Sequence, residues 1–170
     1  MGIILIKRQR KRLLAIFSFF ICAGCSSPVP RQWELYEISS TCPSFYAGKL
    51  VLKPDSDSRI EIEVSRNRFG TEVYLNLLFS KAIPCNDNPH QTEVYFTIEG
   101  QETRKIFPFI LEGSQRLVLS KEDGEYLIQT LLEGNFSTIQ IGRTITSLTP
   151  LSFDSLYEQL LTILIETENL

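Results

Sequence analysis

Hydrophobic and polar residues alternate along much of the chain after residue 32. The clearest run is Ile60, Ile62 and Val64, in which Glu61 and Glu63 occupy the positions between. A period of two is typical of strands that place one face on a core and the other toward water. The same alternation predicts further strands around Leu35, Leu50, Val73, Val94 and Phe107.

Short segments rich in Gly, Asn, Asp, Ser and Pro divide these strands. Such residues predict chain reversals at 54–58, 67–70 and 100–101. Pro108 lies inside one of the alternating segments and has no backbone N–H to donate. Its strand is therefore predicted to lie at a sheet edge or to be bulged.

The last third of the chain changes to a helical period. Ser120 is a good N-cap for a helix that carries apolar residues at helical spacing and ends before Gly134. A second helix is predicted from Ser152, and a strand or tight hairpin about Gly142-Arg143 lies between the two. The apolar stripes of both helices are more often core than partner-binding surfaces.

This order of elements predicts the fold class. Many strands followed by helix, strand and helix indicate an α+β domain with two helices packed on one face or end of the sheet. We expect an antiparallel β-sheet, or a partly open β-sandwich, of about 6–8 strands with two helices in the C-terminal half of the chain.

The N-terminus has the pattern of an export signal. An apolar run over 13–21 follows five cations, Lys7, Arg8, Arg10, Lys11 and Arg12. A basic stretch before a short apolar core is typical of a secretory signal peptide. A retained transmembrane anchor would need about 20 apolar residues, which is longer than this run.

The end of the apolar run resembles the lipobox of bacterial lipoprotein precursors. Ala23 and Gly24 precede Cys25, and a polar, proline-containing stretch follows. In that family the Cys is acylated and becomes the first mature residue. The sequence departs from the family pattern at Cys22, where Leu is usual.

The resemblance implies a domain organisation and a cellular location. Residues 1–24 would be a lipoprotein signal peptide, 25–31 an acylated tether and 32–170 a single globular α+β domain. Palmitate-type chains on Cys25 would hold the protein on a membrane of the bacterial cell envelope. Ser26 would favour the outer membrane, with the domain facing the periplasm.

Charge excludes one class of partner. Removing the five signal-peptide cations from 17 Lys and Arg leaves 12 against 20 Asp and Glu, a mature net charge of −8. An acidic domain is a poor match for a polyanion, so we expect no nucleic-acid partner.

Two cysteines remain in the predicted mature domain beyond the acylated one. Cys42 and Cys85 form an even pair in an exported chain, which predicts a disulfide bond between them. The alternatives are two free thiols or a thiol that serves as a metal ligand.

One loop contains several side chains of the kinds that bind metals or take part in catalysis. Cys85, Asp87 and His90, the single His of the chain, lie within six positions. A thiol, a carboxylate and an imidazole can bind metal or act as nucleophile and base, but a zinc site normally needs three or four ligands at recognisable spacing. The favoured interpretation is a polar turn, so we expect no catalytic residue, no cofactor and no metal.

Two further groups of residues have alternative interpretations. Glu61 and Glu63 resemble paired carboxylates for glycoside cleavage, but a solvated strand face is the favoured interpretation. A set of aromatic residues near the tether would either form a docking patch or point into the core: Trp33, Tyr36, Phe45 and Tyr46.

A second resemblance covers residues 117–161. Ser152-Phe153 begins a helix at the position where a periplasmic family named after invasion-associated locus B has Gly-Phe, and the preceding order of helix and strand pair is similar. This resemblance implies a role in the envelope without naming a reaction.

The sequence leaves two function classes open. The leading hypothesis is a membrane-anchored envelope lipoprotein that acts as a non-catalytic binding or assembly subunit with an envelope protein partner. The alternative is a membrane-tethered periplasmic hydrolase, whose site the sequence does not identify.

Overall fold

The computed structural model describes residues 31–38, 47–54, 57–78 and 80–167, with side chains up to 163. Within these ranges ten strands and two helices form an α+β fold with two antiparallel sheets, which confirms the predicted class. The elements are β1 (Trp33–Ile38), β2 (Ala47–Leu52), β3 (Ile60–Asn67), β4 (Gly70–Leu77), β5 (Val94–Ile98), β6 (Arg104–Ile106), β7 (Phe109–Ile110), β8 (Arg116–Val118), α1 (Lys121–Leu132), β9 (Ser137–Ile141), β10 (Thr144–Leu148) and α2 (Phe153–Thr167).

The larger sheet has six strands in the order β1-β2-β3-β4-β8-β7, and the smaller has four in the order β10-β9-β5-β6. The first four strands form an antiparallel meander. Its third reversal, between β3 and β4, falls at 67–70, where the sequence predicts one. There Asn67 Oδ1 accepts a hydrogen bond from the Phe69 N–H (2.8 Å) and Gly70 has a φ of 136°. Only glycine adopts that backbone conformation without strain.

Pro108 divides one predicted strand into two. β6 lies at the edge of the smaller sheet and β7 at the edge of the larger one, which confirms the predicted edge position of this segment. Across the break, the Pro108 carbonyl accepts a hydrogen bond from Thr92 N (3.2 Å). The division is one reason why the structure has ten strands where the sequence predicts about 6–8.

The core lies against one face of the larger sheet. Alternate residues of its central strands are buried there, including Leu50, Leu52, Ile62, Val64, Leu75 and Leu117. Helix α2 packs on this face over β1, β2 and β3, and its Phe153 ring meets Trp33 edge-on at 4.9 Å. The Trp33 indole donates to the Thr149 carbonyl (2.8 Å), so the first strand is joined to the segment before α2.

The helix boundaries agree closely with the sequence pattern. Ser120 caps α1, where its side-chain oxygen accepts from Asp123 N (3.1 Å), and Gly134 follows the helix with a φ of 78°. Helix α2 begins at Phe153, one residue after the predicted start at Ser152. The sequence predicts a strand or a tight hairpin about Gly142-Arg143. The structure has the hairpin, in which these two residues form the turn between β9 and β10.

Candidate binding surfaces

The residues predicted from the lipobox and the disulfide lie largely outside the described ranges. Cys25 and Cys42 are both outside these ranges. Cys85 is half-buried and is a free thiol in the structure, so the bond to Cys42 is not formed in it. That pairing remains a prediction about the exported protein.

The loop 85–90 has the geometry of a fixed polar turn. Asn88 organises it, because its Oδ1 accepts from His90 N (2.9 Å) and its Nδ2 donates to Gln91 Oε1 (2.9 Å). Cys85 N donates to the Gln91 carbonyl (2.8 Å), which closes the loop. Across the described ranges, no three His, Cys, Asp or Glu side chains are grouped closely enough to hold a metal ion.

A cleft of about 400 Å³ opens beside this turn. We call it the loop cleft; it is lined by residues 85–88 together with Gln91, Glu93, Lys105 and Phe107. Lys105 and Phe107 come close to the loop because β5 and β6 pair, with Val94 opposite Ile106. His90 is exposed and does not line the cleft.

Lys105 links the charged and aromatic groups of the loop cleft. Its Nζ lies 2.7 Å from Glu93 Oε1, 5.4 Å from the centre of the Phe107 ring and 5.7 Å from that of Tyr95. The hydrogen bond with Glu93 raises the pKa of Lys105, and the same bond lowers the pKa of Glu93. Both side chains are therefore charged at neutral pH.

The interpretation of Glu63 as a solvated residue is wrong. Glu63 is 4% exposed although it lies on the face of the larger sheet opposite the core. Arg116 Nη2 lies 2.8 Å from its Oε1 and Lys49 Nζ 3.5 Å from its Oε2, so two long cationic side chains cover the carboxylate. Glu61 accepts a separate bond from Asn76 Nδ2 (3.0 Å), so each carboxylate has its own partners.

The aromatic residues near the predicted tether divide between the two faces. Trp33 is 4% exposed in the core, whereas Tyr36 is on the outer face, where its hydroxyl bonds to Glu34. The Tyr36 ring lies 5.8 Å from Lys49 Nζ and 5.7 Å from Lys53 Nζ. The interpretation of all four aromatics as one docking patch is therefore wrong for Trp33, which points into the core. Phe45 and Tyr46 lie outside the described residues, so a patch that they form with Tyr36 remains a prediction.

Arg31 joins the end of the predicted tether to the domain. Its guanidinium donates to the Lys53 carbonyl (2.7 and 2.9 Å), to Thr146 Oγ1 (2.8 Å) and to the Ser147 carbonyl (2.7 Å). Lys53 follows directly after β2 of the larger sheet, and Thr146 and Ser147 belong to β10 of the smaller one. We call this place, formed by Arg31, Lys53 and residues 146–147, the anchored corner.

The other end of the larger sheet carries an exposed aromatic residue. Phe69 is 82% exposed at the β3–β4 turn, and the Arg68 guanidinium lies 4.6 Å from its ring centre. Beside it, an open cleft of about 660 Å³ runs between the β3–β4 hairpin and α1 and includes Leu132, which is 37% exposed. We call the turn and this cleft the tip surface.

The geometry of the tip surface depends on a glycine in α1. A Cβ at Gly124 would lie 3.3 Å from Val73 Cγ2, so the absence of a side chain lets the helix approach β4 closely. The Arg66 side chain lines the cleft and donates from Nη1 to Thr71 Oγ1 (3.1 Å). Its Nε is buried and has no acceptor within the described part of the chain.

Sequence reasoning did not select Phe69 or Phe107 as surface residues. Phe69 occupies the third position of the turn predicted at 67–70, and an apolar side chain inside a turn is a signal of exposure. Phe107 lies across from Glu93 in the hairpin predicted about Gly100-Gln101. Pairing residues outward from that turn would have placed Phe107 near the 85–90 loop, which precedes Glu93 in the chain.

Comparisons of the chain with protein-family models, with curated proteins and with solved structures found no match. The search for membrane-spanning segments, which covered the described residues, found no helix of sufficient length and apolar character. The observed order α1, β9, β10 and α2 is that expected over 117–161. The likeness of this segment to the invasion-associated locus B family remains a hypothesis.

Proposed function

We propose that this protein is a lipid-anchored component of the bacterial cell envelope that acts by binding an envelope protein rather than by catalysis. The anchor would be Cys25 and the binding surface the tip surface. The observation that carries the binding role is the exposed Phe69, which lies at the end of the sheet opposite the anchored corner.

The hydrogen bonds of Arg31 support a defined orientation on the membrane. Six peptide units separate Cys25 from Arg31, and a fully extended segment of that length spans at most about 20 Å. Acylation of Cys25 would therefore hold the anchored corner within about this distance of the lipid surface. The short reach favours presentation of the opposite end of the domain to partners.

The strand register places the tip surface at that opposite end. Trp33 pairs with Leu52, which pairs with Ile62, so this row lies near the anchored corner. From Ile62 the strand continues five residues to Asn67 and the turn, a distance of about 17 Å. Phe69 would thus project away from the membrane.

The chemistry of the tip surface supports a protein partner. Exposed aromatic and arginine side chains are enriched at the centres of protein interfaces, and here Phe69 lies against Arg68 beside an open cleft. The partly exposed Leu132 adds apolar surface on the helix side.

Site-specific photocrosslinking in cells tests the proposal. A photoreactive phenylalanine analogue replaces Phe69, and the matched control places it at Ile145, an apolar residue of β10 that is 54% exposed and adjacent to the anchored corner. We expect a discrete protein adduct from position 69 and none from position 145. Equal labelling at both positions, or no adduct at position 69, contradicts a binding role for the tip surface.

A further inference from the structure

We propose that the loop cleft is a binding site for a neutral saccharide chain, with Phe107 as the platform against which a sugar ring stacks. This inference goes beyond the proposed function, since it concerns a different surface and does not require the tip surface or the lipid anchor. Three features of the loop cleft support it.

The first feature is an accessible aromatic ring held in place. Phe107 is 42% exposed, its carbonyl accepts from Gln91 Nε2 (3.0 Å), and Pro108 restricts the backbone conformation of Phe107, the residue before it. The face of an aromatic ring is electron-rich. The C–H groups on one side of a pyranose ring carry slight positive charge, so they pack favourably against such a face.

The second feature is a rim of polar groups that suits hydroxyls. Asn86 and Asp87 are exposed and make no side-chain hydrogen bond to other described residues. An amide supplies donors and acceptors and a carboxylate supplies acceptors. The Lys105–Glu93 pair, with 2.7 Å between its atoms, presents an acceptor beside a donor, which matches two neighbouring sugar hydroxyls.

The third feature is preorganisation of the loop. The bonds made by Asn88 to His90 and Gln91, and by Cys85 N to the Gln91 carbonyl, fix the backbone before any ligand arrives. A site that is already ordered loses less conformational entropy on binding. Shallow saccharide sites gain little free energy from each contact, so a small loss of conformational entropy matters for their affinity.

The charge of the loop cleft selects among saccharides. Lys105 is already paired with Glu93, so the remaining charge at the rim is the negative one of Asp87. Sugars that carry phosphate or carboxylate groups would be repelled by it. A neutral hexose or N-acetylhexosamine chain has the matching chemistry, and the open cleft of about 400 Å³ admits a segment of such a chain.

The test is binding of the full chain, purified in detergent, to an array of neutral and anionic oligosaccharides. The neutral probes are β-1,4-linked glucose and N-acetylglucosamine oligomers and α-linked glucose and mannose oligomers. Titration calorimetry then gives the affinity for the strongest neutral probe. We expect Phe107→Ala to weaken it by about tenfold and Phe107→Tyr to change it by less than about threefold.

Two control variants separate this proposal from others. Phe109→Ala removes a ring that is 45% exposed two residues away but does not line the loop cleft, so it should leave saccharide affinity unchanged. Phe69→Ala should also leave it unchanged, which distinguishes failure here from failure at the tip surface. Each removed ring is at the surface, so we expect the variants to keep the thermal stability of the parent protein. Thermal unfolding checks this before the affinities are compared.

The proposal is overturned by any of three results. One is the absence of binding to every neutral probe up to about 10 mM. Another is an affinity that Phe107→Ala leaves unchanged or that Phe109→Ala reduces to the same extent. The third is a preference for anionic over neutral oligosaccharides.

Discussion

Gly48 of β2 lies directly beneath Leu160 of α2. A Cβ at position 48 would be 2.6 Å from Leu160 Cδ1 and 3.0 Å from Ile163 Cδ1, both closer than van der Waals contact allows. Leu160 is fully buried, so its side chain has little room to move. The absence of a side chain at Gly48 therefore sets how closely α2 approaches the larger sheet.

This contact predicts the effect of a single methyl group. Gly48→Ala should lower the free energy of unfolding by roughly 1–3 kcal/mol through overpacking. In a Leu160→Ala background, which removes the closer of the two clashing atoms, the same change should cost less. Urea denaturation of the four proteins measures the coupling, and strictly additive effects would show that the two residues do not meet.

Glu63 provides a second stability prediction. Glu63→Gln should lower the free energy of unfolding by about 1–2 kcal/mol, because it leaves Arg116 and Lys49 beside a group that no longer balances their charge. The matched control Glu61→Gln keeps an oxygen acceptor for Asn76 and should stay within about 0.5 kcal/mol. Denaturant unfolding at neutral pH compares them, and equal losses would contradict the distinct environments of the two carboxylates.

These two carboxylates also show where sequence reasoning succeeds and where it ends. Alternation places Glu61 and Glu63 on the face opposite Ile60, Ile62 and Val64, as the structure has them. It does not tell what covers that face. The burial of Glu63 depends on Arg116, a residue 53 positions away whose approach is set by the pairing of β8 with β4.

The binding surfaces show the same division. Turn residues predicted the Asn67–Gly70 reversal, and the β5–β6 hairpin followed from Gly100-Gln101. The loop cleft arises only when residues 85–88 and Phe107 come together through several strand pairings. Local patterns predict each segment, whereas the meeting of segments is decided by tertiary packing.

Tyr74 predicts a change of stability at alkaline pH. Burial raises the pKa of Tyr74 to about 12, and its hydrogen bond to Glu72 (2.7 Å) acts in the same direction. Because the folded pKa lies above the unfolded value of about 10, the stabilisation from the neutral phenol is complete below pH 10. It is lost as the pH rises through 12.

The variant Tyr74→Phe isolates this effect, because it has no ionisable group at position 74. Between about pH 10 and 12, the free energy of unfolding of the parent should fall relative to that of the variant. Denaturant titrations at several pH values in that window measure it. A difference that stays constant with pH would contradict the raised pKa.

The Cys42–Cys85 bond remains a prediction for the protein isolated from an oxidising compartment. It would close a loop of 44 residues, from 42 to 85, and stabilise the fold by up to about 4 kcal/mol. Peptide mapping without reduction should recover the two cysteines in one linked peptide pair, and Cys42→Ser should leave Cys85 open to alkylation. Alkylation of both thiols in the unreduced parent protein would show that the bond does not form.

The lipid anchor at Cys25 is the claim on which the proposed orientation depends. Mass spectrometry of the N-terminal peptide from membrane-extracted protein tests it most directly. We expect a peptide that begins at Cys25 and carries the added mass of a diacylglyceryl group, and we expect Cys25→Ser to give unprocessed precursor or released domain. An unmodified Cys25, or a membrane-bound chain that still begins upstream of it, would contradict the account.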